Sequence, residues 1–415
     1  MSDPIRVLHF ADTHIGMENY GRTDPETGLS SRVRDFLRRL DEMIEYARKN
    51  DVDLAIFAGD AFKTRNPTPT YEREFAFRVQ ELAELCPLVM VVGNHDLPAS
   101  ILRASSIEIY DTLGVRNTHL GREYVLHEIE TKRGPVVVAT APYPVRQHLL
   151  GERVLPHAMT IGEVDARLRD ALIERLERLA AEAASYPDDV PRILVGHFSV
   201  VGALWGSERS VMLGRDVSVP LSVLDSPAWD YVALGHIHRH QCLTVERDGS
   251  PPVVYSGSVE RVDFGEEVER KGFVWVELTR GATRWEFVPL ENVRPFRTVR
   301  VDVRGAGDPT QVVVEAITRA DVHEAVVRVI IKADPEAETL LQDRAIRAAL
   351  REAGAYYIAA LQREVERPHR LRLGTSPEGL TPEQLLERYL AAKEIAPERI
   401  TELMEYARSI FQTDL

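Results

Sequence analysis

Cysteine is scarce: in 415 residues only Cys86 and Cys242 carry thiols. Two cysteines so far apart, in apolar or mixed surroundings, fit buried free thiols and exclude a disulfide framework. No apolar run reaches the roughly 18 residues that a membrane-spanning helix needs, so no membrane partner is expected. The sequence begins MSDPIRVLHF, which enters a strand-like segment without the basic, apolar and small-residue zones of a secretory signal. A cytoplasmic location is expected on that ground. Positive charge is also in deficit, since 51 Lys and Arg stand against 65 Asp and Glu for a net charge of −14. That balance weighs against a protein that coats nucleic acid through overall charge, because phosphate neutralisation draws on Lys and Arg. A local basic track, or bound cations, would still bring positive charge to a phosphate. Neither G-x-x-x-x-G-K-[ST] nor G-x-G-x-x-G occurs, so any dependence on ATP has to come from a partner. Internal repeats and low-complexity tracts are missing as well.

What is present is a soluble-type composition, 44% hydrophobic, in a chain long enough for two or three domains at about 100 to 200 residues each. Short β-rich apolar runs end at Gly or Asp in IRVLHF (5–10), LAIFAG (54–59) and PLVMVVG (87–93). Helical patterns separate them, at about 31–49 and 67–85, with Pro67 suited to a first helical position. Further strand candidates are PVVVAT (135–140), RILVGHF (192–198), YVALGH (231–236), PVVYSG (252–257) and GFVWVEL (272–278), with a long charged helix at about 163–184. The alternation reads as α/β. A smaller α/β unit begins near Arg294, and LGTSPEGL (373–380) reads as a linker. Beyond it, Thr381, Pro382 and Gln384 have capping-box spacing, and a second helix opens at Pro397.

The chemistry stands at strand ends, where α/β proteins place their sites. Asp12 and His14 follow the first strand, Asp60 the second, and Asn94 and His95 the third, while His197 stands at the end of RILVGHF, just before Phe198. In YVALGHIHRH (231–240), residues at i and i+2 of extended chain share a side, so His236 and His238 can address one cation. Each piece alone is ordinary turn chemistry. Five in this order, each beyond a strand, form a joint signal.

In sequence, D-x-H, G-D, G-N-H-D, G-H and G-H-x-H resemble the five motifs of the calcineurin-like metallophosphoesterases over about the first 285 residues. GHIHRHQ, SGSVERVDFGE (256–266), the small unit after the core and the helical tail are further similar to the double-strand-break repair nucleases of that family. The resemblance implies a β-sandwich flanked by helices, a small α/β capping domain and a C-terminal helical tail, divided as nuclease domain 1–290, DNA-binding capping domain 291–372, and linker with partner-binding helices 373–415.

It also implies that Asp12, His14 and His238 hold one metal, that Asn94, His197 and His236 hold a second, and that Asp60 bridges them. His95 is then the catalytic residue that faces the phosphate. Mixed nitrogen and oxygen ligands suit Mn²⁺, Fe²⁺ or Zn²⁺ better than Mg²⁺, and the resemblance favours two Mn²⁺. The activity implied is that of a DNA exonuclease and endonuclease in break and hairpin processing, repair, recombination and replication. The implied assembly is a nucleoid-associated homodimer, joined in a heterotetramer to a coiled-coil ATPase. The helical pattern at about 99–112 is a candidate contributor to that dimer, and Leu386, Leu390, Leu403 and Met404 are candidates for the ATPase contact. One departure stands out: Lys63 occupies a position, three residues after Asp60, where many relatives carry a second active-site His. His240 is expected not to be a ligand, and His9 to be packed within its strand. The alternative function is that of another phosphoesterase of the family, acting on nucleotides or phosphomonoesters. A core that has lost activity and serves as a binding module is the reading from another class, disfavoured by the intact ligand set.

Overall fold

The computed structural model describes residues 3–98, 103–150, 161–206, 216–245, 247, 249–366, 381–393 and 395–411. Along the first half of the chain run β1 (Ile5–Phe10), α1 (Ser31–Lys49), β2 (Leu54–Phe57), α2 (Pro69–Leu85), β3 (Leu88–Val91), α3 (Ile109–Thr112), β4 (Thr118–Gly121), β5 (Val125–Thr131), β6 (Gly134–Ala141), α4 (Arg146–Leu150) and α5 (Ile161–Ala183). There follow β7 (Arg192–His197), β8 (Ser199–Val200), β9 (Ser218–Val219), β10 (Tyr231–Gly235), β11 (Gln241–Cys242), β12 (Val253–Tyr255), β13 (Gly272–Leu278) and β14 (Arg284–Pro289).

Two six-stranded sheets, β14-β13-β1-β2-β3-β4 and β11-β12-β10-β7-β6-β5, face each other as a sandwich. The strand alternation explains the arrangement. Val7, Ile56, Val89 and Val91 of one sheet and Val138, Ile193, Val195 and Ala233 of the other meet in a shared core, as residues on one face of a strand must. The opposite faces are apolar too: Leu8, Phe10, Phe57 and Met90 pack with α1 and α2, while Leu194, Val232 and Leu234 pack with Leu172, Leu176 and Leu179 of α5. Strands buried on both faces therefore read as unbroken hydrophobic runs. Pairing is parallel along β1-β2-β3-β4 and along β6-β7-β10-β12. As a result the carboxyl ends of β1, β2 and β3 lie together, as do those of β7 and β10.

The chain divides into two compact units, one of Met1–Arg300, Val314–Ile330 and Asp343–Gln362, the other of Val301–Val313, Ile331–Gln342 and Arg363–Leu415. After the sandwich, β15 (Phe296–Asp302), α6 (Pro309–Arg319), β16 (Val326–Ala333), α7 (Pro335–Leu340), α8 (Asp343–Glu352) and β17 (Tyr357–Val365) succeed one another, and the strands form a three-stranded sheet in the order β15-β16-β17. The tail holds α9 (Pro382–Ala392), whose capping box joins Thr381 and Gln384, and α10 (Pro397–Phe411). The two tail helices pack on each other, and Leu390, Met404 and Ala407 are buried. No helix among the described residues is long and apolar enough to cross a membrane.

One local expectation shifts, and two lie partly or wholly outside the described residues. The second helix starts at Pro69, because Thr68 is its cap and accepts a hydrogen bond from Tyr71 N. Of the pattern at 99–112, residues 99–102 lie outside the described residues and only Ile109–Thr112 is helical in the rest. The linker expected at 373–380 also lies outside them.

Candidate metal centre

Where β1, β2, β3, β7 and β10 end, the chain turns sharply. Asp12, His14, Asp60 and His236 all have positive φ, at 53°, 39°, 61° and 93°, which is costly for residues with a Cβ and clusters at functional sites. Two glycines make the crowding possible. A Cβ at Gly59 would collide with the His197 ring, and one at Gly93 with the Asp60 carboxylate. The glycines in G-D and G-N-H-D are thus required by close approach, across the two sheets at Gly59 and between neighbouring strand ends of one sheet at Gly93.

The side chains converge. His14 Nε2 lies 2.9 Å from His238 Nε2. Asn94 Oδ1 lies 3.1 Å from His197 Nε2 and 3.0 Å from His236 Nδ1. Asp60 Oδ2 stands between these groups, 3.8 Å from His14 Nε2 and 3.4 Å from His197 Nε2. Asp12 is fully buried and accepts from His236 N at 3.1 Å, which ties the end of β1 to the end of β10. Asp12, His14 and His238 offer three ligand atoms within 4.8 Å of one another, as do Asp12, Asp60 and His197, and also His14, Asp60 and His95.

Hydrogen bonds on the far side of each ring fix what it presents. His197 Nδ1 donates to Ala58 O at 2.6 Å, His238 Nδ1 to Glu266 Oε1 at 2.8 Å, and His236 Nε2 to Asp216 Oδ2 at 3.0 Å. Carbonyl and carboxylate oxygens only accept. Each neutral ring therefore turns a lone pair inward, and support of this kind is typical of metal-ligating histidines. With both rings in the neutral form that metal binding requires, the result around Asn94 Oδ1 is three acceptors and no donor, an arrangement that a cation satisfies. The spacing agrees, because two ligand atoms about 2.1 Å from one metal and at right angles lie about 3 Å apart. His14 Nδ1 is buried without a hydrogen-bond partner.

Electrostatics point the same way. Burial pushes the Asp12 carboxyl up, against the pull of the neighbouring imidazoles. Burial works on Asp60 too, yet His197 and His95 hold it well below the usual carboxylate range. Burial opposes protonation of His197, but Asp60 beside it raises the ring to about 9. His14 is pushed well below its ordinary value by burial, then by His238 and His95. Acids and imidazoles packed this closely, and buried, gain from a positive ion among them.

All eight residues picked out by the motifs come together here. His95 donates from its backbone N to Asp60 Oδ1 at 2.8 Å and from ring Nδ1 to Lys63 O at 2.9 Å. Lys63 thus contributes its carbonyl, whatever its ammonium does. His240 is turned away: its Nδ1 donates to Tyr255 O, and its ring stacks on Phe287. His9 is buried, bonded to the Tyr231 hydroxyl at 2.9 Å.

The motifs give no role to three acids that the structure puts against the ligands. Asp96 accepts from the backbone N of Asp60, Ala61 and Gly93, and burial together with Asp60 pushes it up to about 7. It pins the turns that carry Asp60 and Asn94. Asp216 takes hydrogen bonds from Ser199 and Tyr143 besides His236. Glu266 holds His238 and is itself paired with buried Lys271 at 3.0 Å. Asp96 and Glu266 lie inside GNHD and SGSVERVDFGE, but nothing in those motifs marks them as supports. Asp216 lies in no motif.

The chain is similar to several known proteins. The calcineurin-like phosphoesterase family matches residues 5–240. The D component of the nuclease SbcCD of Rhodobacter capsulatus is 30% identical over 328 residues, 76% of each chain. Its counterpart in the nuclease SbcCD of Bacillus subtilis is 27% identical over 299 residues, 70% of this chain and 71% of that one. Among solved structures, a dimetal phosphatase from Danio rerio is 13% identical and covers 69% of this chain and 99% of its own, with a TM-score of 0.40. With a candidate dimetal site at its strand ends, the chain belongs to the calcineurin-like phosphoesterase family, in the branch of the SbcCD nuclease D components.

Proposed function

We propose that the protein is a two-metal, Mn²⁺-dependent DNA nuclease, with exonuclease and endonuclease activity, that works as the D component of an SbcCD complex. The observation that carries this is the inward-facing lone-pair set at Asn94, His197, His236, His14 and His238, each of His197, His236 and His238 backed by an acceptor, in a chain similar over three quarters of its length to a named SbcCD nuclease component. Asp12, His14 and His238 hold one cation, Asn94, His197 and His236 the other, and Asp60 bridges. Support for this division comes from the close grouping of the first three and from Asn94 Oδ1 lying within 3.1 Å of both remaining rings.

Two divalent cations would supply charge to the phosphodiester and make water a nucleophile near neutral pH. The chain's own residues orient the reaction. Asp60 is fixed by His95 N and by the Asp96-anchored turn. His95, whose Nδ1 is committed to Lys63 O, turns Nε2 to the phosphate, where as imidazolium it stabilises developing charge or protonates the leaving 3′ oxygen. The ligand-atom grouping of His14, Asp60 and His95 favours a second reading in which His95 is a ligand. Metal analysis of His95→Ala separates the two: a catalytic His95 leaves both metals bound and lowers the rate by roughly 10²- to 10⁴-fold.

The core at 1–290 carries this chemistry, 291–372 forms a capping domain against DNA, and 373–415 links to the coiled-coil ATPase SbcC, in a heterotetramer built on a homodimer of this chain. The role follows: processing of DNA double-strand breaks and hairpins in repair, recombination and replication, in the nucleoid-associated cytoplasm. The tail's hairpin already buries Leu390 and Met404, so the ATPase would read its outer faces, including exposed Tyr389 and Tyr406. Deletion of residues 376–415 should abolish co-purification with the ATPase while metal-dependent nuclease activity persists.

The test is to incubate the purified chain with labelled linear and hairpin DNA and with a chromogenic phosphomonoester, in Mn²⁺, Mg²⁺ or chelator. DNA cleavage in Mn²⁺ that chelation abolishes is expected. Brisk phosphomonoester turnover without DNA cleavage overturns the proposal in favour of another phosphoesterase of the family.

A further inference from the structure

Beside the metal centre, but sharing none of its ligands, lies a cavity of about 570 Å³. It opens where β11 and β14, the edge strands of the two sheets, lie near the 265–270 segment. Its walls carry Trp205, Arg239, His240, Arg270, Trp285 and Phe287. Four flat rings and two guanidinium groups in one cavity is an unusual composition for a chain with net charge −14.

The rings are pre-arranged. His240 stacks on Phe287 with centroids 4.1 Å apart and planes at 21°, and meets Trp285 edge-on at 5.9 Å. The Arg270 guanidinium sits over Phe287 at 5.8 Å. Trp285, Phe287 and Trp205 are all partly exposed, so aromatic surface remains open to the cavity. Arg239 and Arg270 are exposed, and neither forms an ion pair with a carboxylate among the described residues. The acid in the lining, Glu269, is engaged by Lys271 Nζ at 2.8 Å. The cavity therefore presents positive charge and aromatic faces together.

It is also joined to the metal centre. The Trp205 ring meets the ring of His236 edge-on at 6.0 Å, and Arg239 and His240 directly follow His238 in sequence. A strand held in this cavity would reach the candidate metals through Trp205 on one side and through the 238–240 turn on the other.

We propose that the cavity is a stacking subsite for an unpaired nucleotide of a single DNA strand whose neighbouring phosphate lies at the metal centre, with Arg239 and Arg270 meeting the backbone. The inference rests on the phosphodiesterase reading of the metal centre. Stacking suits this chain, because every base has a π-face and a ring platform binds without the dense positive charge that an acidic protein lacks. A duplex keeps its bases stacked on one another and offers no such face, so the subsite selects frayed ends, loops and single strands.

The test uses the full-length protein. Binding of a fluorescein-labelled oligothymidine is followed by anisotropy in EDTA, and cleavage of the same strand in Mn²⁺ is measured in parallel. Trp205→Ala should weaken binding roughly 5- to 150-fold, the range for loss of one stacking ring, and Trp205→Phe should recover most of it. Arg239→Ala, at an exposed position that does not threaten the fold, should reduce the slope of log affinity against log salt by about 0.7. A blunt duplex of equal length should respond much less to Trp205→Ala. If both variants bind the single strand as the wild type does while the wild type still cleaves DNA, the subsite is wrong and the nuclease reading stands. If the wild type neither binds nor cleaves DNA, the nuclease reading fails and the subsite with it. Unchanged oligonucleotide binding with loss of ATPase association would make the cavity a protein-docking site and overturn the inference equally.

Discussion

Asp216→Asn is the change that isolates how the ligands are supported. Asp216 accepts from His236 Nε2 at 3.0 Å and also from Ser199 and Tyr143. Burial works against its ionisation, but His236 and the two hydroxyls keep its carboxyl below the ordinary range, so the native group is a carboxylate. Asparagine keeps the size and can still accept one hydrogen bond, but it removes the charge that makes the far nitrogen of His236 a strong donor to a cation. Loss of such a partner typically weakens metal binding 10- to 100-fold, about 1.4 to 2.8 kcal/mol. Calorimetric titration of the EDTA-stripped protein with Mn²⁺ should show two binding phases in the wild type. Only one should weaken in Asp216→Asn, since Asp216 touches His236 and neither His14 nor His238. Raising the Mn²⁺ concentration should restore most of the rate. Two phases of wild-type affinity in the variant would refute the reasoning, as would equal weakening of both.

The other supports give different signatures. Glu266→Gln keeps an oxygen that can accept from His238 but removes the charge paired with buried Lys271, which is left with Glu269 as its remaining acidic partner; we expect a loss of up to about 3 kcal/mol in urea denaturation, a cost that Asp216→Asn should not share. His9 titrates outside the metal site: burial lowers its pKa from the usual 6.5 to about 3. Below pH 6.5 the unfolded chain therefore binds a proton that the folded chain refuses, so this contribution is complete above pH 6.5 and is lost as pH falls toward 3. Between pH 6.5 and 5 the wild type should lose about 2 kcal/mol more stability than His9→Gln, at about 1.36 kcal/mol per pH unit. Parallel pH curves for the two proteins would show that His9 is not buried neutral.

Much of the centre was legible because its ligands end apolar strands. Asp60, Asn94, His197 and His236 each come directly after a glycine near a strand's carboxyl end; Gly59 and Gly93 leave room for the His197 ring and the Asp60 carboxylate, and Gly235 for the backbone of Ala58. The sandwich was less legible from periodicity: strands buried on both faces carry no alternation, and β13 reaches β1 from more than 260 residues away, pairing Ile5 with Leu278. The supporting acids could not be read at all. Asp216 and Glu266 earn their roles through distance in space, and which nitrogen His236 turns inward depends on Asp216 lying behind the other. In the tail, the helix starts follow from Thr381, Pro382 and Pro397, but the mutual burial of Leu390, Met404 and Ala407 needed the pairing of α9 with α10.

The central claim is that two cations share Asp60. Anomalous diffraction from crystals soaked in Mn²⁺, recorded at the manganese edge, addresses it directly. The account predicts two peaks flanking the Asp60 carboxylate, about 3.5 to 4 Å apart, one ringed by Asp12, His14 and His238 and the other by Asn94, His197 and His236. A single peak, or a peak with His95 in its coordination shell, would contradict it.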